Sequence, residues 1–149
     1  MRRRWTATSK KLLSRWDEEM VELCGVLDGT HADPYIMEAT QCFYWASLFT
    51  IARGVTWDEL RFDENRRAAA TCGVQTVEEL RAAVKRLAAL PPESVKPEKL
   101  FLMWNIADRI YRMRTAADKQ WSLDQLMEAD LQEMLKRPYL EPILAAVTD

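Results

Sequence analysis

Glycine and proline are scarce in this 149-residue chain, at 4 and 6 residues. An all-β fold needs frequent turns, so this poverty of chain breakers argues against one and favours long helices. Histidine is rarer still. His31, in a predicted loop, is the only one, which leaves almost no material for a Ser-His or Cys-His catalytic pair. Cysteine is odd in number: Cys24, Cys42 and Cys72 fall in helical patterns and fit reduced thiols in a cytoplasmic protein, with no Cys/His metal spacing. Strong net charge is missing too. At −2 there is no global electrostatic case for nucleic-acid binding. Finally, no long apolar run exists. The longest uncharged stretch, residues 39–52, is too short to span a bilayer and reads as a buried helix. Arg2, Arg3 and Arg4 are not followed by an apolar segment, so neither a secretory nor a twin-arginine export signal is expected.

What is present is a globular balance of 48% hydrophobic and 30% charged residues, expected to form a single all-α domain over 1–149. Leu13, Trp16, Met20, Leu23 and Leu27 recur at three and four residues and predict a helix over 8–28, ended by Asp28-Gly29. Asp33-Pro34 has the form of an N-cap with proline at the first helical position. The helix it opens, to about residue 53, is apolar on nearly every face and is expected at the centre of the bundle. Thr56-Trp57-Asp58-Glu59 reads as a capping box opening a helix to about residue 70. Capping-box patterns recur at Thr76-Val77-Glu78-Glu79 and Ser122-Leu123-Asp124-Gln125. They predict helices over 77–90 and 123–136, with one over 97–118 between them. Pro138 should break the last helix, with a short one closing the chain.

The two halves align in order. Glu18-Glu19-Met20 falls on Glu78-Glu79-Leu80, and Leu27 on Leu87. Glu38-Ala39-Thr40-Gln41 falls on Asn105-Ile106-Ala107-Asp108, and Tyr44 on Tyr111. Thr56-Trp57-Asp58-Glu59-Leu60 falls on Ser122-Leu123-Asp124-Gln125-Leu126 after a one-residue insertion. The expected architecture is a helical bundle built from a tandem, diverged three-helix unit, about 9–70 and 77–136.

Glu18, Glu19 and Glu22 crowd one turn of the first helix. At about 100° per residue, Glu19 lies nearest the apolar stripe, Glu22 next, and Glu18 furthest out. Adjacent anions repel, and a divalent cation would compensate them, since Mg²⁺ prefers oxygen ligands. The same residues would also make an ordinary solvated face, paired with Lys10, Lys11 or Arg15. Glu38 is different. It is the only charged residue between Pro34 and Arg53, on the helix expected to be most buried, and a buried carboxylate needs a partner.

The order of these features resembles the all-α NTP pyrophosphohydrolase superfamily, the MazG-like and dimeric dUTPase-like proteins. Their pattern is Glu-Glu-x-x-Glu on one helix and Glu-x-x-Asp on the next. Glu18-Glu19-x-x-Glu22 matches the first part and Glu38-x-x-Gln41 the second, except at its last ligand. Residues 38–45 and 52–60 also resemble the family's second helix, turn and third helix, and Asn65-Arg66-Arg67 its basic end. The likeness covers about residues 9–70, with the second half a decayed copy.

The resemblance implies Mg²⁺- or Mn²⁺-dependent hydrolysis of a nucleotide to a monophosphate and pyrophosphate by a homodimer, without membrane or strong nucleic-acid contact. It assigns Glu19, Glu22, Glu38 and, more weakly, Gln41 to the metal, and Glu18 to the attacking water as base. Arg53, Arg66 or Arg67 would meet phosphates, and Trp45 or Phe49 would stack on a base. Gln41 stands where the family has aspartate. The second half keeps Asp108 but has Asn105 and Ala82 in place of two glutamates, so either the site is weakened, or Asp108 contributes as a cross-repeat ligand, or the protein is a non-catalytic member. The alternative is a non-catalytic helical binding or assembly module of the same superfamily.

Overall fold

Three of the helix starts are fixed by the hydroxyls that the sequence marks. Thr56, Thr76 and Ser122 each accept a hydrogen bond from the backbone N–H three residues on, at 3.2, 3.1 and 3.1 Å. Glu79 and Gln125 reach back to their cap residues' own N–H groups, closing reciprocal capping boxes. In the computed structural model, which describes the backbone of residues 2–135 and the side chains of 8–132, the chain forms an all-α bundle. Its helices are α1 (Arg2–Asp28), α2 (Tyr35–Ala52), α3 (Trp57–Leu60), α4 (Phe62–Ala68), α5 (Val77–Ala88), α6 (Pro97–Arg114) and α7 (Leu123–Leu135). No strand occurs among the described residues. No described helix is long and apolar enough to cross a membrane. The expected break at Pro138 and the closing helix lie outside the described residues.

Helix α2 is the central element, as its all-round apolar character requires, and packs against α1, α6 and α7. Trp104 of α6 fastens it by donating from Nε1 to the Ala39 carbonyl at 2.8 Å. Phe43, Phe62, Phe101 and Trp104 meet mostly edge to face at centroid distances of 5.1–6.4 Å and fill the space between α2, α4 and α6.

Three boundaries differ from expectation. Asp33 does not cap α2: Pro34 occupies the cap position without a side-chain hydrogen bond, and the Asp33 carboxylate turns to His31 instead. Helix α6 stops at Arg114, and a 3₁₀ turn over Ala117–Lys119 replaces its expected last turn. The helix expected over 57–70 is broken at Arg61, which has φ 49° and ψ 57°. Leu60 and Phe62 explain the break. Both are buried, yet residues two apart point to opposite sides of a continuous helix. A left-handed residue between them lets both face the core. Arg61 is exposed and pairs with Glu64 at 3.5 Å, so Arg61→Gly should remove the steric cost of that conformation. We expect the variant to be more stable by about 0.5–1 kcal/mol, a rise in Tm of a few degrees in a thermal melt. A lower Tm would show that the arginine side chain matters more than its backbone.

Helix α1 lies on α2 as α5 lies on α6, while α4 crosses onto α6 and α7 onto α2. The members are unequal, however: α1 has 27 residues and α5 has 12.

Candidate metal centre

Glu19 and Glu22 lie on the side of α1 that faces α2, and Glu38 lies in the first turn of α2. All three are therefore near the same end of the α1–α2 pair, where residues 29–34 join the helices. Gly29, at φ 82°, ends α1. Asp28 then pins Thr30 through its backbone N–H and hydroxyl at 3.1 and 2.6 Å. His31 folds back onto α1, donating from its N–H to the Gly25 carbonyl at 3.0 Å. Glycine is required there, because a Cβ on residue 25 would stand 2.7 Å from the Cβ of His31.

This turn delivers an imidazole into the acidic cluster. His31 Nε2 is 2.7 Å from Asp33 Oδ2 and 3.5 Å from Glu38 Oε1. Ligand atoms of Glu22, His31 and Glu38 lie within 4.8 Å of one another. Glu38 is 2% exposed, and its Oε2 has no hydrogen-bond donor. Burial, reinforced by the close carboxylates of Glu22 and Asp33 and the charge of Glu19, pushes its carboxyl up to about 8. Glu19 is raised as well, first by burial and then by Glu22, against lowering contributions from Glu38 and Arg15. The Cys42 thiol, one turn along α2, is pushed well up by burial and then by Glu19 and Glu38. A cation held among these carboxylates would lower all three.

The other assigned residues are placed differently. Glu18 points outward, 3.4 Å from Arg15, and stands apart from the cluster. Gln41 is half-buried one turn beyond Glu38. Arg53 does not await a phosphate. Its guanidinium donates to the carbonyls of Pro92, Val95 and Glu93 at 2.8, 2.8 and 3.0 Å and ties the end of α2 to the α5–α6 link. Phe49 is 0% exposed and cannot stack on a base. Trp45 is half-buried, against Tyr44 and beneath Arg15 at 5.6 Å. Arg66 is spent on Asn105 and Asp108 at 2.9 and 2.7 Å. Arg67 is exposed beside a shallow cavity that it lines with Trp57 and Arg61.

Asp108 is not a cross-repeat ligand in this arrangement. It is 0% exposed and held at Oδ2 by Arg66 and Arg112, both at 2.7 Å, and at Oδ1 by the Tyr35 hydroxyl at 2.6 Å. Two guanidinium groups already compensate its charge. Asn105, at the position matching Glu38, accepts from Arg66 and donates to Asn65 at 2.9 Å each.

His31 and Asp33 are the site residues that the motif did not mark. The signal was there in their position. Glu22 lies close to the end of α1 and Glu38 at the start of α2, so a polar residue in the short link between them must fall near both. Comparison of the chain with protein-family models, curated proteins and solved structures finds no match in any of the three.

Proposed function

We propose that Glu22 and Glu38, with Glu19 beside them, hold a divalent cation, and that the chain uses it to hydrolyse a nucleoside triphosphate between its α- and β-phosphates. The observation that carries the reading is Glu38: a buried carboxyl with one oxygen lacking any donor, set against carboxylates from the neighbouring helix. An all-oxygen group of this kind suits Mg²⁺ or Mn²⁺. When bound, the ion supplies charge to the phosphate oxygens and lowers the pKa of a water. The chain's own part is to fix three carboxylates from two packed helices and to surrender the Glu38 proton. Glu18 would have to leave Arg15 to act as the base. A duplicated ancestry of the halves, a homodimer and a cytoplasmic location belong to the same reading. A second reading, a cation-binding helical module without turnover, is favoured by the engagement of Arg53, Arg66 and Phe49 in the structure's own packing.

The test is pyrophosphate release over ribo- and deoxynucleoside triphosphates with Mg²⁺ and Mn²⁺. Metal-dependent release that Glu38→Gln abolishes supports the enzyme; no release from any of them supports the module. Gln41→Asp separates the two further. It restores the aspartate of the resembled motif and, in an enzyme, should tighten Mg²⁺ roughly tenfold and raise turnover. In the module it adds repulsion beside Glu38, lowering Tm by an amount that Mg²⁺ does not restore.

A further inference from the structure

One member of the cluster does not belong to an all-oxygen site. His31 is not displayed on a free loop: its backbone is bonded to Gly25, and its Cβ sits where only a glycine leaves room. Its Nε2 faces Asp33 at 2.7 Å, while its 3.5 Å separation from Glu38 Oε1 is long for a hydrogen bond. That longer spacing is close to the edge of a coordination tetrahedron, about 3.3 Å when metal–ligand bonds are near 2.0–2.1 Å. The independent sign of a missing ligand is Glu38, which is 2% exposed with an unsatisfied Oε2. Among the described residues, Glu22, His31 and Glu38 are the one group whose ligand atoms converge closely enough to share an ion. Asp33 shares that nitrogen, so an ion on Nε2 would have to displace its hydrogen bond.

We propose that His31 is a nitrogen ligand of this centre, completing with Glu22 and Glu38 a mixed nitrogen–oxygen site for a transition-metal ion of the Zn²⁺ or Co²⁺ class. The inference rests on the cation part of the function proposed above and not on the pyrophosphate chemistry. Imidazole favours such ions, whereas Mg²⁺ gains little from it.

Zn²⁺ exceeds Mg²⁺ at most sites of this kind, so the decisive readout is the imidazole itself. Because His31 is the only histidine, its ring signals in a ¹H–¹⁵N spectrum of the full chain are unambiguous. Zn²⁺ should shift the Nε2 resonance and saturate it at one equivalent. By calorimetry, His31→Gln should weaken Zn²⁺ by roughly 10–100-fold while changing Mg²⁺ by less than about threefold. Gly25→Ala, which displaces the imidazole but keeps every carboxylate, should reproduce that selective loss. An imidazole that Zn²⁺ does not move, or equal Zn²⁺ affinity in wild type and His31→Gln, overturns the proposal. Pyrophosphate release with Mg²⁺ in a protein whose imidazole ignores Zn²⁺ would sink this inference and leave the enzyme. Zn²⁺ held by His31 without turnover on any nucleotide would do the reverse.

Discussion

Glu38→Gln is expected to make the metal-free protein more stable at pH 8, although it removes a buried native group. The Glu38 carboxyl rises from the ordinary 4.5 to about 8 in the folded chain, chiefly by burial. Below pH 4.5 the folded and unfolded states both carry the proton, and the group makes no difference. Between 4.5 and 8 the unfolded chain ionises while the folded one keeps its proton, so stability falls with rising pH, by at most about 1.4 kcal/mol per unit. Above pH 8 the folded group ionises too and the loss stays constant. Glu19, raised in the same direction, adds to the slope.

Glutamine cannot ionise, and its amide can donate to Glu22 or Asp33, whose carboxylates crowd the site. The variant should therefore melt roughly 4–8 °C above wild type at pH 8 with a chelator present, corresponding to about 2 kcal/mol, and close to wild type at pH 5. A saturating divalent cation should reverse the order at pH 8, because it stabilises only the protein that can bind it. Thermal melts at the two pH values, with chelator and with cation, check all of this. A wild type that outlasts Glu38→Gln at pH 8 without metal would mean that the buried carboxyl is already satisfied by His31.

That contest between carboxyl, imidazole and cation shows where sequence reasoning reached and where it stopped. Glu38 was legible because one charge in a long apolar helix is an anomaly at any register. Glu19 and Glu22 were legible from angular spacing on α1, which also put Glu18 outermost, as found beside Arg15. The hydroxyl caps at Thr56, Thr76 and Ser122 were legible because each is a local hydrogen-bond pattern. Failures came where a side chain's partner is distant in sequence. Arg53 reads as a free cation at a helix end, but its acceptors lie around residues 92–95. Phe49 could be placed on a helix but not assigned a depth. The break at Arg61 depends on Leu60 and Phe62 both having to face one core. His31 was set aside because lone histidines make poor catalytic pairs, when its address between Glu22 of α1 and Glu38 of α2 was the informative fact.

Asp108→Ala should cost the protein far more than any surface change, and the reason lies in what its carboxylate holds together. Asp108 is fully buried among Arg66, Arg112 and the Tyr35 hydroxyl. Removing it leaves two guanidinium groups facing each other without an anion, each only about a quarter exposed, at 28% and 25%. Breaking a buried pair on one side typically costs 3–5 kcal/mol. Partial solvation of the arginines puts the expected loss near the lower end, about 3 kcal/mol, or roughly 6–12 °C in Tm. The loss should be non-additive with Arg66→Ala, because the second deletion removes a charge that the first has stranded. Tyr35 adds a link to the other site. It begins α2 one turn before Glu38, stacks on Tyr111 at 3.5 Å and is fixed by Asp108. Loss of that anchor should loosen the start of α2 and weaken cation binding a few-fold, measured by calorimetry on the folded variant. A ligand would behave otherwise: if Asp108 contributed directly to the ion, its removal would abolish binding while sparing stability once the cluster's repulsion is relieved. Urea unfolding together with metal titration of Asp108→Ala therefore decides between an anion that holds the helices and one that holds a metal. The two guanidinium groups on its carboxylate support the first.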